Sequence, residues 1–281
     1  MTCHHGPPGA GWTPVSPCTP ACLPEPSGRA GTWRIAVVGV LLGVSACAAF
    51  VLPRRPRQWW LVRSARALLA LSGVRLVVHG ERYARRDQGV LVVANHQSWI
   101  DVVALGAVAP VRLLAKREVR QWPVIGALAA RTGALFIDRA GLRSLPATVA
   151  ETARALRAGA AVGVFPEGTT WCGVAAGPFR RAAFQAAIDA GAPVRPVAIT
   201  LQTADGACAP AAAFVGDQTL LDSVRRTLAL RGLVCELNVL PLIPVDVDGS
   251  RRALAARAAE AVGAATGVPH GAASARVPVA A

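Results

Sequence analysis

From Val74 onward, short apolar, β-branched runs alternate with Ala- and Leu-rich stretches of helical spacing. The runs that read as strands are Val74–Val78, Val90–Ala94, Arg112–Ala115, Leu135–Ile137, Ala161–Phe165, Val194–Leu201 and Leu233–Leu240. Between and after them, Ser98–Val108, Val119–Arg131, Pro146–Arg157, Pro178–Ala190, Thr219–Leu230 and Arg251–Val262 read as helices. A regular strand–helix alternation predicts an α/β domain, with helices flanking a largely parallel sheet. No internal repeat interrupts it. The domain is expected over 74–265, with a frayed Ala/Gly/Pro-rich tail over 266–281.

The residues ahead of this domain differ in kind. Positions 1–33 are rich in Pro, Gly, Ser and Thr and read as a disordered tail. Residues 35–52 carry no charge and approach the length needed to span a bilayer. Arg54, Arg55, Arg57, Arg63 and Arg66 follow at once, against Arg29 and Arg34 before, so the positive-inside asymmetry puts the C-terminal side in the cytoplasm. Trp59 and Trp60 suit an interfacial belt, and 57–72 has the spacing of a surface helix. The expectation is a membrane-anchoring unit over 34–73 at the cell membrane. Two other readings fit residues 35–52: a short hairpin or a helix buried in the protein, and a signal sequence ending at the lipoprotein-like Val44-Ser45-Ala46-Cys47.

Composition supports contact with a membrane. Hydrophobic residues make up 53% of the 281, mean hydropathy is +0.41, and 30 Lys and Arg face 16 Asp and Glu for a net charge of +14. Such an excess calls for a polyanion, and the densest Arg cluster abuts the apolar segment, favouring an anionic membrane surface over nucleic acid. The 7 cysteines form no C-x-x-C pair, so neither a disulfide framework nor a zinc finger is indicated. Cys3-His4-His5 has metal-binding side chains but lies in the Pro/Gly-rich tail.

Three strand ends carry chemistry. Val90–Ala94 delivers Asn95 and His96, and Asp101 follows in the first turn of the next helix. Ligands bind at the carboxyl ends of strands in such folds. A carboxylate there can fix the tautomer of a histidine and stabilise its imidazolium, making a general base. Ser98-Trp99-Ile100-Asp101 is equally a capping-box pattern, which would make Asp101 a helix cap. Ala161–Phe165 leads into Pro166-Glu167-Gly168-Thr169-Thr170, a turn with exposed amides and hydroxyls suited to an anionic group. Leu135–Ile137 leads to Asp138-Arg139, where Arg139 offers a fork for phosphate.

Together these blocks resemble the glycerolipid acyltransferase family that includes the 1-acylglycerol-3-phosphate acyltransferases. Asn95-His96 with Asp101, Gly133 with Phe136-Ile137 and Arg139, Phe165-Pro166-Glu167-Gly168-Thr169, and the Pro196-containing strand occur in the family's order, with Lys116, Glu118, Pro123 and Gly126 matching between them. The likeness covers roughly 74–200. It implies acyl transfer from acyl-CoA or acyl carrier protein to a lysophospholipid hydroxyl, with 1-acylglycerol-3-phosphate, giving phosphatidic acid, as the default acceptor. His96 and Asp101 would be catalytic; Asn95, Arg139, Glu167, Gly168, Thr169 and Thr170 would bind the acceptor; no metal or redox cofactor is implied. Two positions depart from the pattern. Thr170 stands where many members have Arg, and Ala182 where Gly is frequent. Thr170 keeps other acceptors open, lyso-ornithine lipid among them, and Arg180 or Arg181 is placed to supply the missing charge. Intact His96 and Asp101 argue against a non-enzymatic adaptor. No G-x-S-x-G elbow is present, and Cys172 has no base beside it in sequence, so no covalent enzyme intermediate is expected.

Overall fold

The structure is a computed structural model and describes residues 14–24, 31–82, 88–138, 142–246 and 248–270. Seven strands form one sheet: β1 (Val74–His79), β2 (Val90–Ala94), β3 (Arg112–Lys116), β4 (Leu135–Ile137), β5 (Ala161–Val164), β6 (Val194–Gln202) and β7 (Leu233–Val239). Their order is β1-β7-β6-β2-β5-β3-β4, and every neighbouring pair is parallel except β6 with β7. β2 lies inside the sheet and is buried along its whole length. That is why it reads as an unbroken apolar run rather than an alternating one.

The two faces of β2 serve separate cores. Val90, Val92 and Ala94 join Ile100, Ala104 and Leu105 of α3 (Trp99–Val108) and Leu69 of α2 (Arg54–Leu71). Leu91 and Val93 join α5 (Leu145–Arg157), α6 (Ala182–Ala190) and α8 (Arg251–Thr266) through Leu156, Phe184 and Ala258. Helices therefore cover both faces, as the alternation predicts.

Two helices start later than expected. The run over 119–131 divides into a 3-10 turn, Arg117–Gln121, and α4 (Ile125–Thr132). Pro123 disfavours a helical residue before it, and Val124 takes φ 63. α6 begins at Ala182 rather than Pro178, because 177–180 is drawn to the β5 turn: Arg180 N–H donates to Pro166 O and Gly177 N–H to Glu167.

The N-terminal segment is a hairpin laid on the domain. α1 (Thr32–Val51) turns back at Leu52-Pro53 into α2. Arg34, at the start of α1, donates to Leu71 O at the end of α2 and to Leu228 O of α7 (Leu220–Ala229). At the far end Arg131 of α4 donates to Phe50 O and stacks on the Phe50 ring. Both ends of α1 are thus tied to the same domain, and 35–51 is one continuous helix lying on the protein's surface, neither a short hairpin nor a buried helix. Trp33–Val51 has a mean hydropathy of 2.2 and is long and apolar enough to cross a membrane by length and composition. Its outer side exposes Trp33, Val40, Val44, Phe50 and Val51. The Val44–Cys47 stretch lies within the helix, with Ser45 and Ala46 buried.

The expected disordered tails are both partly ordered. Residues 14–24 form a strap with a 3-10 turn at Pro20–Cys22. Cys18, Cys22 and Leu23 are buried against Cys172, Ala213 and Val215. At the other end, residues 267–270 return along α8. Cys3-His4-His5 lies outside the described residues.

Candidate active site

The carboxyl ends of β2, β5 and β6 meet at one sheet edge, and the first turn of α3 opens there. Asp101, fully buried, uses one oxygen for three bonds. Oδ2 accepts from Gln97 N–H at 2.5 Å and Ser98 N–H at 2.7 Å, and lies 2.9 Å from His96 Nδ1. The capping and catalytic readings therefore describe one carboxylate: it ties down the helix start and orients the imidazole with the same oxygen. Nδ1–H is the tautomer this arrangement selects, leaving Nε2 as the basic nitrogen. Phe165 stacks on a face of the ring, centroids 3.9 Å apart at 15°.

The main chain of His96 is fixed as firmly as its ring. Its N–H donates to Glu167 Oε2 at 2.6 Å, and its carbonyl accepts Trp171 N–H at 2.8 Å. Gln97 O accepts Phe214 N–H at 2.8 Å. The turns after β2 and β5 are laced together through these bonds.

Several residues expected to hold substrate are placed otherwise. Asn95 has both ends of its amide on Ile199 of β6: Nδ2 donates to Ile199 O and Oδ1 accepts Ile199 N–H, each at 2.8 Å. It extends the β2–β6 ladder past the last strand residue. Glu167 is 3% exposed, and its carboxylate accepts the N–H groups of His96 and Gly177. Desolvation pushes its pKa well up, opposed by those two bonds. Thr170 turns its hydroxyl inward to Phe214 O. Gly168 has φ +78, and Pro14 of the strap lies where a Cβ would go. Thr169 is half-buried in the same turn, and Arg180, an exposed cation, has its side-chain stem beside Gly168. Arg139 lies outside the described residues. Cys172 is fully buried and meets Cys18, whose thiol pKa is pushed up by that hydrogen bond and by burial. A buried thiol of this kind is no activated nucleophile.

Beside His96 is a cavity of about 310 Å³, walled by Trp171, Leu201, Gln202, Cys208, Val268 and His270 among others. Among the described residues its lining contains no Lys or Arg. His270 is the residue sequence reasoning misses: composition places it in the tail, yet its side chain is 1% exposed and lies 3.5 Å from Glu167. Only Gly267 and Pro269, a helix stop, hint at an ordered turn there.

Residues 75–200 match the family model described as Acyltransferase. A lyso-ornithine lipid O-acyltransferase of Pseudomonas aeruginosa is 40% identical, over 75% of this chain and 79% of its own length. A 1-acyl-sn-glycerol-3-phosphate acyltransferase of Neisseria gonorrhoeae is 32% identical, over 74% and 81% respectively. In structure, the 1-acyl-sn-glycerophosphate (LPA) acyltransferase PlsC of Thermotoga maritima superposes with a TM-score of 0.64 at 21% identity, covering 84% of this chain and 92% of that one, which establishes the fold.

Proposed function

The chain belongs to the glycerolipid acyltransferase family, and from that premise we propose that it transfers a fatty acyl group from acyl-CoA or acyl carrier protein to the hydroxyl of a lysolipid, with lyso-ornithine lipid the favoured acceptor. The His96–Asp101 pair carries the chemistry: His96 lines the cavity and buried Asp101 holds its ring. A lipid hydroxyl is a weak nucleophile at neutral pH. His96 Nε2 takes its proton as the oxygen attacks the thioester carbonyl; the tetrahedral oxyanion collapses, the carbon–sulfur bond breaks, and the imidazolium returns the proton to the departing thiolate. Buried Asp101 stabilises the imidazolium between those steps. A positioned base of this kind contributes about 10²–10⁴-fold.

The acceptor preference rests on Thr170. It stands where an Arg would offer a fork to phosphate, and its hydroxyl is occupied by Phe214 O. The relative named for lyso-ornithine lipid agrees with this reading. Arg180 beside Gly168 favours the second reading, 1-acylglycerol-3-phosphate, since it returns one cation to that turn. The enzyme is membrane-associated. We place the catalytic domain on the cytoplasmic side, with the α1–α2 hairpin seated by its apolar face and exposed Arg54, Arg55 and Arg63 on anionic headgroups. Membranes containing the protein, given labelled acyl-CoA or acyl carrier protein and a panel of lysolipids, test the reading. Label entering ornithine lipid supports it, label entering phosphatidic acid selects the second acceptor, and full activity in His96→Ala sinks the mechanism.

A further inference from the structure

Among the described residues the Glu167 carboxylate has three polar neighbours, and one comes from the segment after α8. His96 N–H and Gly177 N–H donate to its two oxygens at 2.6 and 3.0 Å. The third is His270, whose Nδ1 lies 3.1 Å from Gly177 O and 3.5 Å from Glu167 Oε1. The His270 ring meets Phe179 edge-on, centroids 4.7 Å apart at 61°.

The chain is built to bring it there. α8 ends at Thr266, and Gly267 reverses the direction with φ +72, a conformation that favours glycine. Thr266 Oγ1 donates to Val262 O and accepts Val268 N–H, closing the turn. Gly263 lets the returning segment lie on the helix: a Cβ there would sit 3.2 Å from Val268 O.

The surroundings select one tautomer. Burial lowers the pKa of His270, so the ring is neutral near pH 7 and carries one N–H. With that proton on Nε2, the Nδ1 lone pair would face two oxygens. Nε2–H would also be buried with no acceptor among the described residues. With the proton on Nδ1, both Gly177 O and Glu167 Oε1 face a donor, and only a bare lone pair stays unpartnered.

We infer that His270 is a positioning residue for His96, acting through Gly177 and Glu167, so that the segment after α8 is part of the catalytic apparatus. The inference rests on the reading of His96 as general base. His270 Nδ1–H fixes the Gly177 carbonyl; Gly177 N–H fixes Glu167 Oε1, with His270 3.5 Å from the same oxygen; the other oxygen then holds the His96 main chain. Nε2 of His96 must come within hydrogen-bond reach of the acceptor hydroxyl, and small displacements of such a base are costly in rate.

Two variants separate positioning from packing. His270→Phe keeps an aromatic ring against Phe179 and removes the donor. His270→Asn puts an amide N–H near the position of Nδ1. In membranes, with acceptor and donor both varied, kcat of His270→Phe is expected to fall roughly 10-fold, the loss of about one hydrogen bond, while both KM values stay within about twofold. His270→Asn should recover kcat to within about threefold. Nitrogen-15 spectra of the histidines in the unmodified protein, which need no variant to fold, should show His270 protonated on Nδ1 and bare on Nε2. Wild-type kcat in His270→Phe, equal loss in both variants, a change in KM alone, or an Nε2–H signal each overturn the inference. His96→Ala, assayed alongside, tells the two failures apart. If it is inactive while His270→Phe is unimpaired, only the positioning role falls; if it is active, the general-base reading falls and takes this inference with it.

Discussion

Replacing Asp101 with Asn tests whether charge or geometry matters at the buried carboxylate. All three of its bonds end on Oδ2, and Oδ1 has no partner among the described residues. An Asn can keep its oxygen at the Oδ2 position and turn its NH2 to the vacant side, so the helix start survives. What disappears is the negative charge 2.9 Å from His96 Nδ1. With an effective dielectric constant of about 20, a carboxylate and an imidazolium at that separation attract by roughly 6 kcal/mol. The neutral amide oxygen returns about 1–1.5 kcal/mol as an ordinary hydrogen bond. The remaining roughly 4 kcal/mol bears on the step in which the imidazolium forms, a loss of about 10³-fold in kcat. The stability cost is smaller, about 1–3 kcal/mol for an unpaired buried NH2. The assay is kcat against the productive lysolipid in membranes, with thermal unfolding measured on the same protein. A variant whose kcat stays within a few-fold of wild type while its melting temperature drops would show that Asp101 is a helix cap and nothing more.

Glu167→Gln leaves one buried main-chain donor, His96 N–H or Gly177 N–H, facing an NH2 group, at a cost of about 1–3 kcal/mol; melting temperature and kcat should both fall, and wild-type values in both refute the bracing role. Val40→Asp with Val44→Asp places two charges on the outer face of α1 without touching the site, so pelleting with membranes should weaken while detergent-phase activity persists; unchanged pelleting rejects that face as the anchor. Burial depresses the pKa of His270 below 6.5, so its neutral form adds stability above pH 6.5 that is lost as pH falls through the folded value. Glu167, the carboxylate facing it, is shifted up and acts in the opposite sense, its burial costing stability as pH rises. His270→Asn should therefore lose less melting temperature than wild type between about pH 7 and 5; parallel curves contradict the assignment.

The parts legible in the sequence are those whose cause is local. Val90–Ala94 reads as a buried strand because burial on both sides leaves five apolar residues in a row, and the structure buries all five. His96 and Asp101 are legible as a pair because one helical turn brings them together, whichever of its two roles Asp101 is assigned. Over 119–131 the helical spacing runs straight through Pro123, so the sequence pattern hides the break that the proline imposes. Residues whose partner is distant were recognised without their purpose. Asn95 and Glu167 stand out in sequence, but Asn95 finds its partner 104 residues away. Glu167 reaches back 71 residues to His96, so a side chain that reads as substrate-binding is an acceptor for main-chain N–H groups. A main-chain partner carries no residue type and so leaves no mark in sequence. His270 shows the limit of this. It meets a glycine carbonyl 93 residues away, its neighbours are Ala, Gly and Pro, and composition assigns it to a frayed tail. The N-terminal strap is the same case on the other side of the sequence: a Pro-rich stretch reads as disordered, while Cys18 and Pro14 rest on Cys172 and Gly168 in and beside the β5 turn. The first and last described segments thus converge on the β5 turn that holds His96, and neither contact has a periodic or compositional signature that a reading of the sequence could detect.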